Sequence, residues 1–153
     1  MKKTIIILVA VLMGTMASAQ IKDLGIRGAF GSGFGGEISA MWGMGGNRLE
    51  TDLGWAGGQG WSYINLNGVY QWTWDLGSNF GWFAGVGASL GLYSGDAAGY
   101  NAGFGLGVLG QIGLEFNPQA IPFQFTLDFR PQWDFIGHSG FGYGGALGIR
   151  YRF

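Results

Sequence analysis

Cysteine is absent from the 153-residue sequence, histidine occurs once, and proline occurs three times. Without cysteine the chain can form no disulfide framework, no thiolate metal site and no lipid anchor on a cysteine at a cleavage site. A single histidine leaves no Cys or His cluster that would hold a transition metal. The sequence therefore predicts no metal and no cofactor, and the fold must be stabilised by hydrogen bonds and packing alone.

Charge is also scarce. Only 11% of the residues are charged, whereas about 25% is usual for soluble domains, and the chain combines this with 16% aromatic residues and 33 glycines. A water-facing exterior is hard to build from such a composition. Once the leader described below is removed, six basic and nine acidic residues remain, for a net charge of −3. Nothing in this balance indicates a nucleic-acid partner.

The first residues have the pattern of a secretory signal peptide. Lys2 and Lys3 precede an apolar run over residues 5–13, and the small residues Ala17 and Ala19 flank Ser18 just before Gln20. The apolar run is too short to span a bilayer as a helix. We therefore expect two regions, a cleaved signal peptide over residues 1–19 and one domain over residues 20–153.

The end of the chain shows the clearest structural pattern. From Phe141 to Phe153, aromatic and aliphatic residues alternate with glycine, alanine and arginine. A period of two is the signature of a β-strand, because successive side chains point to opposite faces. Seven further segments after Gln20 alternate in the same way. The sequence thus predicts an all-β protein, an eight-stranded antiparallel up-and-down β-barrel.

Side-chain volume decides which face of the barrel points outward. The apolar faces of the eight segments hold more than thirty residues, many of them aromatic, and the interior of an eight-stranded barrel has no room for them. The opposite faces are rich in glycine with occasional large polar residues, which suits a narrow lumen. We therefore expect a transmembrane barrel with its apolar face in lipid, since a closed barrel pairs all its backbone groups as a bilayer demands.

Gly148, Tyr151 and Phe153 stand in the order Gly-x-x-aromatic-x-aromatic at the C-terminus. This resembles the C-terminal insertion signal of the small eight-stranded outer-membrane β-barrel proteins of bacteria, and the resemblance covers essentially the whole chain after residue 19. It implies residence in the outer membrane of a Gram-negative bacterium, contact with outer-membrane lipid, insertion by the barrel-assembly machinery, and a monomer.

Charged residues on the predicted inward faces are balanced, five basic against five acidic. Unpaired buried charge is expensive and paired charge tolerable, so these residues are expected to form ion pairs. We expect Arg130 and Asp128 to reach across the lumen toward Glu50 and Asp52 and to plug it. The predicted network comprises Arg27, Glu50, Asp52, Asp128, Arg130 and Arg150. The remaining charges, including Asp23 and Asp134, are expected outside the lumen, at strand ends and in loops.

No catalytic motif is recognisable, and the sequence predicts a structural or envelope-related protein that is not an enzyme. Two alternatives stay open. Outer loops such as residues 93–100 could bind a partner or mediate adhesion. Asp134, His138 and Ser139, expected in the last outward loop, could form the Ser and His pair of a lipid A-modifying enzyme.

Overall fold

The computed structural model describes residues 20–31, 35–95, 103–137 and 140–153. The predicted signal peptide, residues 1–19, lies outside these ranges. The described chain forms eight strands: β1 Ile21–Gly31, β2 Gly35–Met44, β3 Asn47–Gly58, β4 Trp61–Gly77, β5 Phe80–Gly95, β6 Gly103–Phe116, β7 Phe123–Ile136 and β8 Gly140–Arg152.

Each strand pairs antiparallel with its neighbours in sequence, and β8 pairs with β1 to close the barrel. At this seam Leu24 lies opposite Tyr151, and Gly28 lies opposite Leu147. The eight-stranded antiparallel up-and-down barrel predicted from the alternation is confirmed. In the described part of the chain, no helix is long and apolar enough to cross a membrane.

The two ends of the barrel are distinguished by their connections. The terminal end, as we name it, carries Gln20, Phe153 and the connections at residues 45–46, 78–79 and 117–122, and the opposite end is the loop end. Ser78 and Asn79 both have positive φ, 54° and 69°, as a two-residue type I′ hairpin turn requires. Asp75 lies before this turn, in β4. Asp75 pairs with Gly81, and its carboxylate accepts a hydrogen bond from the Gly77 amide at 2.7 Å.

The exterior of the barrel is apolar from one end to the other. Ile26 and Leu147 are each 62% exposed there. Aromatic side chains collect near the two ends: Trp42, Trp72, Trp82, Phe116, Phe123, Tyr151 and Phe153 at the terminal end, and Phe30, Trp55, Trp61, Phe104, Trp133 and Phe141 at the loop end. Two belts of this kind flanking an aliphatic band are typical of membrane-spanning barrels.

The interior holds the residues that the alternation directs inward. These are mostly glycine and polar residues, but two large apolar side chains, Met41 and Phe83, are also fully buried there. Many of the inward glycines make room for a neighbour. A Cβ on Gly113, for example, would lie 2.5 Å from the Phe83 ring. The lumen is therefore packed by a few large side chains that lie over glycines on adjacent strands.

Candidate functional site: the ion pairs in the lumen

The middle of the lumen contains charged side chains that are shielded from solvent. Glu50, Asp52 and Arg150 have no exposed surface, and Arg27 is 3% exposed. They meet there because β1, β3 and β8 each turn alternate residues inward, and the barrel is narrow enough for long side chains to cross it. We call Arg27, Glu37, Glu50, Asp52, Asp128, Arg130 and Arg150 the lumen network.

Glu50 is the centre of the lumen network. Its Oε1 lies 3.1 Å from Arg27 Nη1 and 2.8 Å from Arg130 Nη2, and its Oε2 lies 3.0 Å from Arg150 Nη2. A single carboxylate thus contacts three guanidinium groups, from β1, β7 and β8. The contacts with Arg130 and Arg150 are charge-assisted hydrogen bonds, which are about twice as strong as hydrogen bonds between neutral groups.

Two glutamines complete the hydrogen bonding of Glu50. Gln71 Nε2 donates to Glu50 Oε2 at 2.9 Å, and Gln111 Nε2 donates to Oε1 at 3.1 Å. Gln71 Nε2 also lies 2.7 Å from Gln111 Oε1. These amides were not part of the predicted network. Alternation along β4 and β6 indicates that both glutamines face the lumen, but only the packed lumen shows that they reach the same carboxylate.

Arg27 distributes its guanidinium among several carboxylates. Nη1 lies 2.6 Å from Glu37 and 2.8 Å from Asp52, and Nη2 lies 2.5 Å from Asp128. Arg130 contacts Asp52 at 2.7 Å in addition to Glu50. Asp128 was expected to point with Arg130 toward Glu50 and Asp52, but its carboxylate accepts from Arg27 instead. Glu37, Glu50 and Asp52 all contact Arg27 Nη1, so this guanidinium offsets the repulsion among the buried carboxylates.

Arg150 is held by neutral groups as well as by Glu50. Its Nε donates to Ser39 Oγ at 2.9 Å, and its Nη1 donates to Thr126 Oγ1 at 3.0 Å. Gly148 provides space for these contacts, because a Cβ there would lie 3.0 Å from Arg27 Cγ and 3.5 Å from Arg150 Nη1. The glycine of the C-terminal motif therefore lies inside the lumen, next to the network.

A second ion pair lies nearer the terminal end. Arg48 Nη1 is 2.6 Å from Glu115, and both side chains keep 11% of their surface exposed. Arg48 also donates from Nε to Gln71 at 2.5 Å, and its guanidinium lies 4.9 Å from the centre of the Phe83 ring. Gln71 thus connects this outer pair to the lumen network.

Two acidic residues were predicted to lie outside the lumen, and the structure contradicts both predictions. Asp23 is only 7% exposed and faces the lumen from β1. Asp134 is part of β7 rather than of a loop, opposite Gly140, and its Oδ1 accepts from Gln132 at 2.7 Å. Both predictions are wrong because β1 and β7 extend further than the pattern indicated. His138 and Ser139, the other members of the proposed catalytic set, lie outside the described residues.

The other two residues of the C-terminal motif point outward. Tyr151 is 44% exposed and Phe153 is 77% exposed, and their rings make an edge contact at 5.2 Å. The Phe153 amide donates to the Lys22 carbonyl at 2.9 Å, so the last residue still pairs with β1. The three motif residues therefore lie together on β8 and its end, one inward and two outward.

The lumen network has four carboxylates and three guanidinium groups. Asp52 Oδ1 and Asp128 Oδ1 are buried and have no hydrogen-bond partner among the described protein atoms. No group of three His, Asp or Glu residues within the described ranges could hold a metal ion. The seven side chains come from β1, β2, β3, β7 and β8, so the arrangement can brace the barrel.

No family model matches the sequence, and no curated protein matches it either. Solved structures do match the fold. Neisserial surface protein A is 19% identical, with a TM-score of 0.63, 86% of this chain and 94% of that chain being covered. Ail, the attachment invasion locus protein of Yersinia pestis, solved in complex with the heparin analogue sucrose octasulfate, is 12% identical with a TM-score of 0.53, over 87% of this chain and 97% of that chain.

Both matches are small eight-stranded outer-membrane β-barrels. The chain has the fold of this group. The predicted outer-membrane barrel fold is therefore confirmed at the level of architecture, by the closed eight-stranded sheet and by two independent structures that share it.

Proposed function

We propose that this chain is an integral protein of the outer membrane of a Gram-negative bacterium, with a plugged lumen and a structural or envelope-related role. The fold and the apolar exterior support the location. In this proposal residues 1–19 are a cleaved signal peptide, the barrel-assembly machinery inserts residues 20–153, and the terminal end faces the periplasm. The protein is a monomer, its contacts are with outer-membrane lipid, and it carries out no catalysis.

The observation that carries this proposal is the lumen network. Arg27 of β1 contacts Asp128 of β7, and Arg130 of β7 contacts Glu50 and Asp52 of β3, so charged side chains cross the lumen in both directions. Glu50 and Asp52 have no exposed surface. Moving an ion through this layer requires breaking several buried, charge-assisted hydrogen bonds.

Planar-bilayer recording tests the plug. The wild-type protein is expected to show no large, stable conductance. The double variant Arg27→Ser and Arg130→Ser removes the two guanidinium groups that cross the lumen and leaves the carboxylates, so it should conduct and prefer cations. A heat-modifiability gel identifies the folded fraction of each protein before recording. Large and stable wild-type conductance would contradict the plug.

Loop-mediated binding is the second candidate, because Ail, which shares the fold, was solved in complex with a sulfated ligand. The connections at the loop end, residues 32–34, 59–60, 96–102 and 137–139, contain no lysine or arginine. An anionic glycan would find no fixed positive charge on them. This composition favours the structural role over adhesion through sulfated sugars.

The enzymatic alternative requires Asp134 in the last outward loop, but Asp134 belongs to β7. Asp134 faces the lumen from β7, paired with Gln132, and is not part of a loop with His138 and Ser139. Mass spectrometry of lipid A from cells with and without the protein tests this alternative directly. We expect identical lipid A in both, and a missing or added acyl chain in the deletion strain would contradict the proposal.

A further inference from the structure

The outer wall of the barrel has an apolar groove. It has a volume of about 510 Å³ and crosses the faces of β6, β7, β8 and β1. Its lining is almost entirely aliphatic and aromatic, with Ile26, Gly28, Leu114, Phe116, Leu127 and Leu147 as its principal residues. Each aliphatic member of this set points away from the lumen and is exposed on the wall.

Gly28 leaves the wall hollow at the end of the groove that lies farther from the terminal end of the barrel. It faces outward between Leu147 of β8 and Gly36 of β2. No atom lies within 4 Å of the position where its Cβ would be, so a side chain there would fill open space. At Gly36 the equivalent space is already occupied, because the Trp55 ring lies 2.9 Å from the position of a Cβ.

The groove runs from one end of the barrel to about its middle. Its lower end is formed by Phe80, Phe116 and Phe125, whose rings contact one another in sequence at 4.7 Å and 6.4 Å. These rings are at the terminal end, close to the connections at residues 78–79 and 117–122. Leu147 lies midway along β8, and its partner Gly28 lies just past the middle of β1. The groove therefore spans one leaflet, the one at the terminal end.

We propose that this groove binds one acyl chain of a phospholipid from the leaflet at the terminal end, and that it holds this chain longer than the rest of the wall holds its neighbours. The proposal rests on the membrane location proposed above. The groove is continuous with the apolar exterior that faces lipid, and its lining is apolar along the depth of one leaflet. An extended hydrocarbon chain is long, narrow and apolar in the same way.

A second copy of the chain is a poorer match for the groove. The outer wall of a barrel is convex, so two walls in contact would leave the floor at Gly28 untouched. Filling the groove from a partner would need a protruding side chain, whereas a lipid chain follows its length. The shape of the groove therefore favours lipid over self-association.

Native mass spectrometry of the folded full barrel, released from vesicles of phosphatidylethanolamine and phosphatidylglycerol, tests the proposal. The groove is filled in Gly28→Phe. Gly68→Phe is the matched control, because Gly68 also faces outward with nothing within 4 Å of its Cβ position but does not line the groove. Leu147→Trp fills the groove from β8 and serves if Gly28→Phe folds poorly.

Wild type and Gly68→Phe are expected to retain one phospholipid at activation energies that strip the remaining lipid. Gly28→Phe and Leu147→Trp should retain it about tenfold less, because the added ring occupies the space in which the acyl chain would contact the lining. Equal retention by all folded variants, or a dimer without lipid, would overturn the proposal. A barrel that inserts into vesicles but retains no lipid contradicts this inference alone, whereas failure to insert contradicts the membrane location.

Discussion

Leu127 and Asp128 are neighbours in the sequence but lie in opposite environments. The Leu127 side chain is 48% exposed on the outer wall, and Asp128 is 4% exposed in the lumen. At the scale of single residues, the position of a side chain along its strand decides which solvent it meets. This much follows from the alternation, and it holds even at Met41 and Phe83, whose inward positions run against simple hydrophobicity.

The errors at this scale come from strand ends. Asp23 and Asp134 were assigned to loops and strand ends outside the lumen, but both belong to strands that extend past the last clearly alternating residue. Their inward position follows from the same parity that placed Arg27 and Arg130. Pattern alone could not show this, because short polar and glycine residues near a strand end look like a turn in the sequence.

Replacing Leu127 with arginine tests the outward assignment. Leu127→Arg should lower the free energy of unfolding in lipid by about 2 to 4 kcal/mol, because it places a cation near the middle of the bilayer. Ile136→Arg, at the loop end of the same strand, should lower the free energy of unfolding by only about 0 to 1 kcal/mol, because the cation lies near the membrane interface. Urea titration in lipid vesicles measures both. Equal losses in the two variants would mean that β7 does not cross the membrane as described.

At the scale of elements, β8 has two roles. Its inward residues Gly148 and Arg150 belong to the lumen, and its backbone closes the barrel against β1 as far as the Phe153 amide.

The sheet is interrupted between β6 and β7. Pro131 in β7 has no amide hydrogen, and the pairing of β6 with β7 is interrupted opposite it, at Gly110 and Gln111. Closure therefore depends on the remaining pairs and on the side chains that cross the lumen.

Deleting Phe153 tests the proposed assembly signal on β8. The variant loses the terminal aromatic ring, its contact with Tyr151 and the hydrogen bond to Lys22, so a smaller heat-modifiable fraction is expected in cell membranes. Phe123→Ala is the control, because Phe123 packs against Tyr151 at 5.7 Å at the same end without belonging to the motif. It should assemble like wild type. Full folding of the deletion variant in cells would contradict a signal at the C-terminus.

At the scale of the whole molecule, the lumen network connects strands that are far apart in the sequence. Glu50 of β3 contacts side chains from β1, β4, β6, β7 and β8, so one carboxylate joins six of the eight strands. The presence of ion pairs in the lumen could be inferred from charge balance. The pairing of Asp128 with Arg27 could not, because partners across a barrel depend on the stagger of the closed sheet, which no single strand encodes.

Glu50→Ala is expected to be the most destabilising single change in the lumen. Arg150 has Glu50 as its carboxylate partner and would remain buried with only Ser39 and Thr126 as acceptors. Breaking a buried pair in this way costs about 3 to 5 kcal/mol. Glu115→Ala breaks the pair with Arg48, whose side chains keep some contact with water, and should cost about 1 to 2 kcal/mol.

Urea unfolding of both variants in the same vesicles, followed by tryptophan fluorescence, measures this difference. A larger loss for Glu50→Ala would show that the barrel depends on its central carboxylate. If the two variants lost equal amounts of stability, the lumen network would occupy the lumen without stabilising the barrel. The double variant Glu50→Ala and Arg150→Met separates these cases further, because removing the stranded charge should restore part of the stability lost in Glu50→Ala.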